Sequence, residues 1–305
     1  MSRTAEVERV YSAIEEAAGL LSAVCSRDNV WPVLDAFGDE LAEAMIVFGG
    51  QAGDRHAGEL DYSFTVPSSI GNPYPHALSR GLVTETDHPV GSVLSDIQGR
   101  WPIKEHFVDA GVVGGFKKLY AHFPDNMQKV SDIADIPSMP RAVAENAALF
   151  ARYGLDQVAM IGVDYRHKTV SVYFHFGPDG RPEPSTIRAL LSDLGMPEPD
   201  EPTLEFAHKS LRVNITLGWE TGDVIRVAFA PPPVRGLDPS ALPGQLTPRM
   251  EEFARVSPRA YAGGRVNMYA VKWMRGEEFH EVCTYYQLTP WYEKILTDAP
   301  KEQQG

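Results

Sequence analysis

The sequence predicts an α+β fold built on about ten antiparallel strands in five hairpins, with helices between and after the pairs. Three observations lead there: five pairs of strand-like segments along the chain, a two-residue alternation of apolar and polar side chains within them, and helix punctuation after the hairpins. The ββα unit recurs along the whole chain with no composition shift or long Ser/Gly linker, so residues 1–305 read as one domain.

The elements follow in order. From Thr4 to Leu21 the apolar residues Val7, Val10, Tyr11, Ile14, Ala18 and Leu21 recur at helical spacing, and a second helix is expected from about Asp28 to Ala44. Strand pairs follow at 43–50 and 58–66, 104–110 and 114–123, 156–164 and 168–176, 208–218 and 223–230, and 265–274 and 279–288. Between them, Pro140 to Arg152 and Ser185 to Leu194 read as helices, with Gly154 and Gly195 just beyond their ends. Thr247-Pro248 and Thr289-Pro290 each pair a capping residue with a proline at the first helical position. Pro231 to Pro248 is expected to be one long loop.

The alternation separates two faces on each strand. Leu60, Tyr62, Phe64 and Val66 oppose Asp61, Ser63 and Thr65; Val170, Val172 and Phe174 oppose Ser171, Tyr173 and His175. Leu211, Val213, Ile215 and Leu217 oppose Arg212, Asn214 and Thr216, and Ile225, Val227 and Phe229 oppose Arg226 and Ala228. Between Gly114 and Phe123 one face carries Phe116, Lys118, Tyr120 and His122. An apolar face on every strand is one that helices cover to form a core. The polar face either meets solvent on an open sheet, the commoner arrangement, or lines the wet lumen of a closed barrel. Phe116, Tyr120, Tyr173 and Tyr285 on that face speak against solvent, and no hairpin looks like a protected edge.

Of the 305 residues 43% are hydrophobic and 23% charged, enough for a sizeable core. The formal net charge of −13 argues against nucleic-acid and anionic-membrane partners, because either contact would begin with repulsion. The N-terminus is acidic, at Glu6, Glu8, Glu15 and Glu16, and no run of about 18 apolar residues occurs, so a cytoplasmic protein is expected. Cys25 and Cys283 lack metal-ligand spacing and are expected as reduced thiols. Gly49-Gly50 and Gly111 to Gly115 match no phosphate loop and read as turns, and Asp54-Arg55-His56 has no partner spacing for a metal or triad.

On the polar face of an acidic chain stand Lys118, Arg212 and Arg226, with His167 near them in pattern. Singly each reads as an ordinary solvated strand residue; shared parity on separate strands suggests a wall that binds an anion such as phosphate. Tyr120, Tyr173 and Tyr285, with Met160, either pack a core or offer electron-rich faces to a cation. Asp61 and Ser63 share the face and could sit beside a magnesium ion, although one carboxylate alone makes a poor metal site.

Several runs, in order along nearly the whole chain, resemble the soluble bacterial aromatic prenyltransferases of the ABBA, or prenyltransferase-barrel, class. They are Val7-Glu8-Arg9-Val10-Tyr11, Glu59-Leu60-Asp61, Gly114-Gly115-Phe116-Lys117-Lys118, Asp125-Asn126-Met127, Ile136-Pro137-Ser138-Met139-Pro140, Ala142 to Leu155, and Trp219-Glu220-Thr221-Gly222. The resemblance implies a ten-stranded antiparallel barrel with helices outside and substrates in a solvent-filled lumen. It implies transfer of a dimethylallyl or geranyl group from a prenyl diphosphate to a hydroxynaphthalene, phenol or phenazine by electrophilic aromatic substitution, in secondary metabolism.

By position, Lys118 and Arg226 match the diphosphate grip, Asp61 with Ser63 the magnesium-associated carboxylate, Tyr120 and Tyr173 the flanks of the prenyl chain, and Met160 and Tyr285 the acceptor wall. Four positions depart: Glu281, Asn214, His167 and Ser171 stand where lysine, tyrosine, lysine and asparagine would surround the diphosphate. The lost and inverted charge is expected to weaken that grip. Arg212 replaces a small hydroxyl residue, and either substitutes for the missing lysine or pairs with an acidic group on the acceptor. His122 and His175 replace smaller or apolar lumen residues. An alternative reading is a non-catalytic lumenal binder of an anionic aromatic metabolite. A closed barrel leaves no free edge, so a monomer is expected.

Overall fold

The computed structural model describes residues 2–52, 58–177 and 180–298; the Asp54-Arg55-His56 run lies outside them. Ten long strands form the framework: β1 (Ile46–Ala52), β2 (Asp61–Pro67), β3 (Glu105–Gly111), β4 (Gly115–His122), β5 (Gln157–Asp164), β6 (Thr169–His175), β7 (Arg212–Gly218), β8 (Val224–Ala230), β9 (Val266–Met274) and β10 (Glu277–Tyr286). Each is antiparallel to its neighbours, and β1 pairs both with β2 (Ile46 opposite Phe64) and with β10 (Ile46 opposite Tyr286). The sheet therefore closes on itself, which removes the open-sheet alternative and satisfies the backbone groups of both would-be edges.

Helices α1 (Arg3–Leu21), α2 (Arg27–Ala36), α3 (Pro73–Ser79), α4 (Val93–Arg100), α5 (Val130–Ala134), α6 (Arg141–Arg152), α7 (Pro184–Asp193), α8 (Glu201–His208) and α9 (Pro248–Arg255) contribute to the layer outside the barrel, and α10 (Pro290–Ile295) follows the last strand. The core lies between these layers. Phe64, Leu119, Ile161, Val172, Ile215, Phe229 and Val271 point outward from seven strands and are at most 1% exposed. Each contributes roughly 1.5–3 kcal/mol by leaving water. α1 starts at Ser2, whose hydroxyl accepts from the Ala5 amide, and buries Val7, Val10, Ile14 and Leu21.

Three expectations change here. The second helix ends at Ala36, not Ala44, and residues 37–43 are turns. The Pro231 to Pro248 stretch contains the short strand Val234–Arg235, paired with β9, and a 3-10 turn at Pro239–Ala241. Gly49-Gly50 is no turn but part of β1; a Cβ on Gly50 would lie 2.7 Å from Leu21 Cδ1, so the glycine admits α1 close to the strand.

Three β-bulges break the alternation, at Lys117 in β4, Ala159 in β5 and Ile225 in β8, each residue standing extra against its neighbour strand. A bulge turns two successive side chains toward one side of the sheet. Lys117 and Lys118 therefore both face the lumen side, as do Ile225 and Arg226, while Phe116 and Val224 turn into the outer core. Phe116, expected inside, instead stacks on Tyr165 outside the barrel, with centroids 6.1 Å apart.

The five hairpins all lie at one rim; the helical connections run at the other, where α10 packs beneath the lumen.

Candidate active site

The lumen holds two connected spaces. A mouth of about 560 Å³, within the range of small-molecule sites, is lined by hairpin residues such as Val113, Gly114, His167 and Met274. Below it a narrower chamber of about 140 Å³ is bounded by Ser63, Phe107, Tyr120, Met160, Tyr173, Asn214 and Tyr285. Asp61, Lys118 and Arg226 border both, and Arg212 and Glu281 line the chamber.

Charge concentrates where the spaces meet. Lys118 Nζ lies 3.6 Å from Asp164 Oδ2 and pairs across the ladder with Asp109. Asp164 accepts from the His167 backbone at 2.8 Å and contacts its ring at 3.1 Å. Burial would raise the Asp164 pKa, but the Lys118 charge and these bonds hold it below the usual carboxylate value. Burial pushes Asp109 up to about 7, with Lys118 pulling against that and Asp61 adding to it. Arg226 donates to Thr216 Oγ1 at 3.3 Å and leaves Nε without a partner; Thr216 in turn bonds Ser171 at 2.8 Å. Ser171 thus supports the Arg226 seat from behind and does not line the chamber, and His167 belongs to the rim.

The Glu281 position has a different meaning from the one its sequence suggests. Its carboxylate is 2.7 Å from Lys272 Nζ on β9. Burial opposes ionisation, yet Lys272, Arg226 and Arg212 hold Glu281 below its ordinary pKa. The negative charge is therefore compensated, and the expected Coulomb penalty on a bound anion is not left standing.

An aromatic belt lies beneath the charges. Tyr120 and Tyr173 meet edge to face at 6.0 Å, Phe107 packs on Tyr120 at 6.2 Å, and Tyr285 on Tyr292 at 5.6 Å. A Cβ on Gly162 would come within 2.6 Å of Tyr120 Cε1, so that glycine lets the ring lie against β5. Burial raises the pKa of Tyr120, Tyr173, Tyr285 and Tyr292, which keeps them as neutral phenols. Neutral, electron-rich rings can shelter a cation without neutralising it chemically.

Arg212 stands apart from the other cations. It pairs with His175 on β6, whereas Arg226 pairs with Thr216, four residues along the same β7. At about 3.3 Å per residue their backbone levels are about 13 Å apart along the strand, although both charges act on Tyr173 and Glu281. The floor lies at the level of Arg212. His122 bonds Glu105 at 2.9 Å and meets Trp291 edge-on at 5.0 Å; His175 stacks on Trp291 at 5.3 Å. Burial lowers both histidines, His175 to about 3, so they stay neutral.

Asp109, Lys117, Lys272, Trp291 and Tyr292 were not singled out in the sequence. Lys272 shares parity with Met268 and Ala270, a signal that could have found it; the bulge hid Lys117. Cys283 is a free thiol lining the chamber, and burial raises its pKa well above the ordinary value.

For magnesium the fit is poor. The Asp61 carboxylate is engaged by Lys117, and among the described residues no group of three His, Cys, Asp or Glu side chains is placed to hold a metal.

The family model described as aromatic prenyltransferase Orf2 matches residues 5–293. The chain is 40% identical to a 5,10-dihydrophenazine-1-carboxylate 9-dimethylallyltransferase of Streptomyces anulatus, covering 97% of this chain and 99% of that protein. It is 40% identical to a flaviolin linalyltransferase of Streptomyces virginiae, with 94% of each covered. It is 39% identical to a furaquinocin biosynthesis prenyltransferase of a Streptomyces species, covering 92% and 91%.

Proposed function

The chain belongs to the aromatic prenyltransferase Orf2 family, and from that premise we propose that Lys118 and Arg226 hold the diphosphate of a prenyl donor at the junction of mouth and chamber. The single observation that carries this is a pair of cations from β4 and β8, both bordering the two spaces, with the tyrosine belt directly below.

The enzyme moves a prenyl group from a prenyl diphosphate to an electron-rich aromatic small molecule. The allylic C–O bond breaks, and its electron pair leaves on the diphosphate, where Lys118 and Arg226 stabilise the growing charge. Tyr120 and Tyr173 flank the allylic cation and exclude water from it. A ring π pair of the acceptor, seated against Met160 and Tyr285, forms the new bond at near-attack distance, and the ring carbon then gives its proton to water or a nearby base. No covalent enzyme intermediate is required.

Lys117 serves at Asp61 in place of a metal, so diphosphate binding rests on side-chain cations, and Lys272 with Glu281 sets the potential on the opposite wall. The compensated charge at Glu281 also removes one of the two physical reasons for a disabled, merely binding protein, the other being Asn214 in place of a tyrosine. A dimethylallyl group, a bicyclic or tricyclic acceptor, one barrel domain, a monomeric state and a cytoplasmic location complete the reading. The closed ladder of ten strands supports the monomer. No helix among the described residues is long and apolar enough to cross a membrane.

The test is turnover of dimethylallyl and geranyl diphosphate with a panel of hydroxynaphthalenes and phenazines. Lys118→Ala and Arg226→Ala should each lower kcat by about 10²-fold or more, the usual cost of removing one group that stabilises developing negative charge. Full activity in both variants would show that the diphosphate binds elsewhere.

A further inference from the structure

The deep cation on β7 is an unused binding group. Arg212 lines the chamber, yet its Nε is buried without a hydrogen-bond partner, while its Nη2 reaches the thioether of Met268, at 3.2 Å, and its other side-chain hydrogen bond is to the Tyr292 phenol. A buried guanidinium with five donors that meets one thioether and one neutral phenol, with Nε bare, forgoes much of its hydrogen-bonding energy. No carboxylate among the described residues lies within ion-pair distance of it. Glu281, whose charge it feels, is already 2.7 Å from Lys272. Around the guanidinium stand neutral aromatic groups: Tyr173, with its ring centroid 5.7 Å from Arg212 Cζ, and the phenols of Tyr285 and Tyr292.

The register keeps this group away from the donor. With the diphosphate at Lys118 and Arg226, the Arg212 backbone lies four residues, about 13 Å, further down from the Thr216 level. That interval holds the Tyr120 and Tyr173 belt, where the allylic carbon and the acceptor ring must meet. Arg212 therefore faces the end of the acceptor remote from the new bond. We infer that Arg212 is the reader of a carboxylate on the aromatic acceptor, and that this chain takes an aromatic acid in preference to the same ring without the acid.

The chemistry follows from the fork. A guanidinium edge offers two parallel N–H donors that match the two oxygens of a carboxylate, and it cannot lose its charge. Anchoring the acid on Arg212 sets the ring's position along the barrel axis and thus which ring carbon meets the cation. An acceptor lacking the acid would leave the guanidinium buried and unpaired, which is how a polar site rejects an incomplete ligand. Tyr285 and Tyr292 can donate to the same oxygens as phenols.

This inference rests on the proposed function for the identity of the chamber's occupant, so its test separates the two. Binding of 1-hydroxy-2-naphthoate and of 1-naphthol is measured by calorimetry on the wild type, Arg212→Gln and Arg212→Lys. Donor binding is followed with dimethylallyl thiolodiphosphate, and turnover with dimethylallyl diphosphate. The wild type should bind the naphthoate at least about tenfold more tightly than the naphthol, the worth of one hydrogen bond to a charged group. Arg212→Gln should erase that preference while leaving naphthol and thiolodiphosphate affinity unchanged, and Arg212→Lys should keep part of it. Equal affinity of the wild type for the two acceptors overturns the inference without recourse to any variant. So does an Arg212→Gln protein that loses thiolodiphosphate binding, because Arg212 would then belong to the donor. If the naphthoate binds through Arg212 but no prenyl transfer occurs with either ring, the inference stands and the catalytic reading fails.

Discussion

At the scale of single residues, Asp109 is the group whose charge state the site can least ignore. It pairs across the ladder with Lys118 and titrates near 7 because burial disfavours its charge. A carboxyl with a raised folded pKa holds its proton longer in the fold than in the unfolded chain. Its contribution to stability is therefore present at low pH and lost as pH rises from 3.8 through about 7. The same titration acts on the donor: above about pH 7 the new negative charge beside Lys118 should raise the KM for dimethylallyl diphosphate. Asp109→Asn should flatten that rise relative to wild type across pH 6 to 8.5, in steady-state donor titrations; an unchanged slope would mean that another group sets it. Side-chain orientation was legible for Tyr120, Tyr173 and Asn214, because each sits on an alternating stretch clear of the bulges, and for Arg226 because the β8 bulge falls just before it and alternation resumes from there. What the sequence could not show was partnership. Glu281 read alone looks like a damaged anion site, and only the β9 to β10 pairing brings Lys272 to it.

At the scale of elements, the bulges carry the local design. Strand periodicity alone places Phe116 in the lumen and Ile225 outside, and both are reversed by one extra residue in β4 and in β8. Alternation is readable in a sequence, but the place where it slips is not, because a slip depends on the neighbouring strand. The β4 bulge has a functional result: it turns Lys117 inward onto Asp61 beside Lys118. Wild-type activity should accordingly survive removal of divalent cations by EDTA. Lys117→Ala, which frees the Asp61 carboxylate, should raise donor KM severalfold and make activity increase with added magnesium. Loss of wild-type activity in EDTA would remove Lys117 from this role.

At the scale of the whole molecule, closure is the property that local patterns left undecided. The strands that seal the ring, Ile46–Ala52 and Glu277–Tyr286, stand at opposite ends of the sequence, and alternation describes each of them equally well in an open sheet. The helical rim is plugged by Trp291 and Tyr292 from α10 against His122, His175 and Phe107, which leaves the hairpin rim as the way in. Among the described residues that rim is the one opening, and the diphosphate site proposed at Lys118 and Arg226 stands in it. The aromatic partner must be loaded first and the diphosphate follows as the stopper, so preloading with dimethylallyl thiolodiphosphate should slow acceptor association in stopped-flow measurements. An unchanged association rate would point to a second door. On the same reading, a finished product stays corked in until pyrophosphate departs, and uncorking should set the pace of turnover.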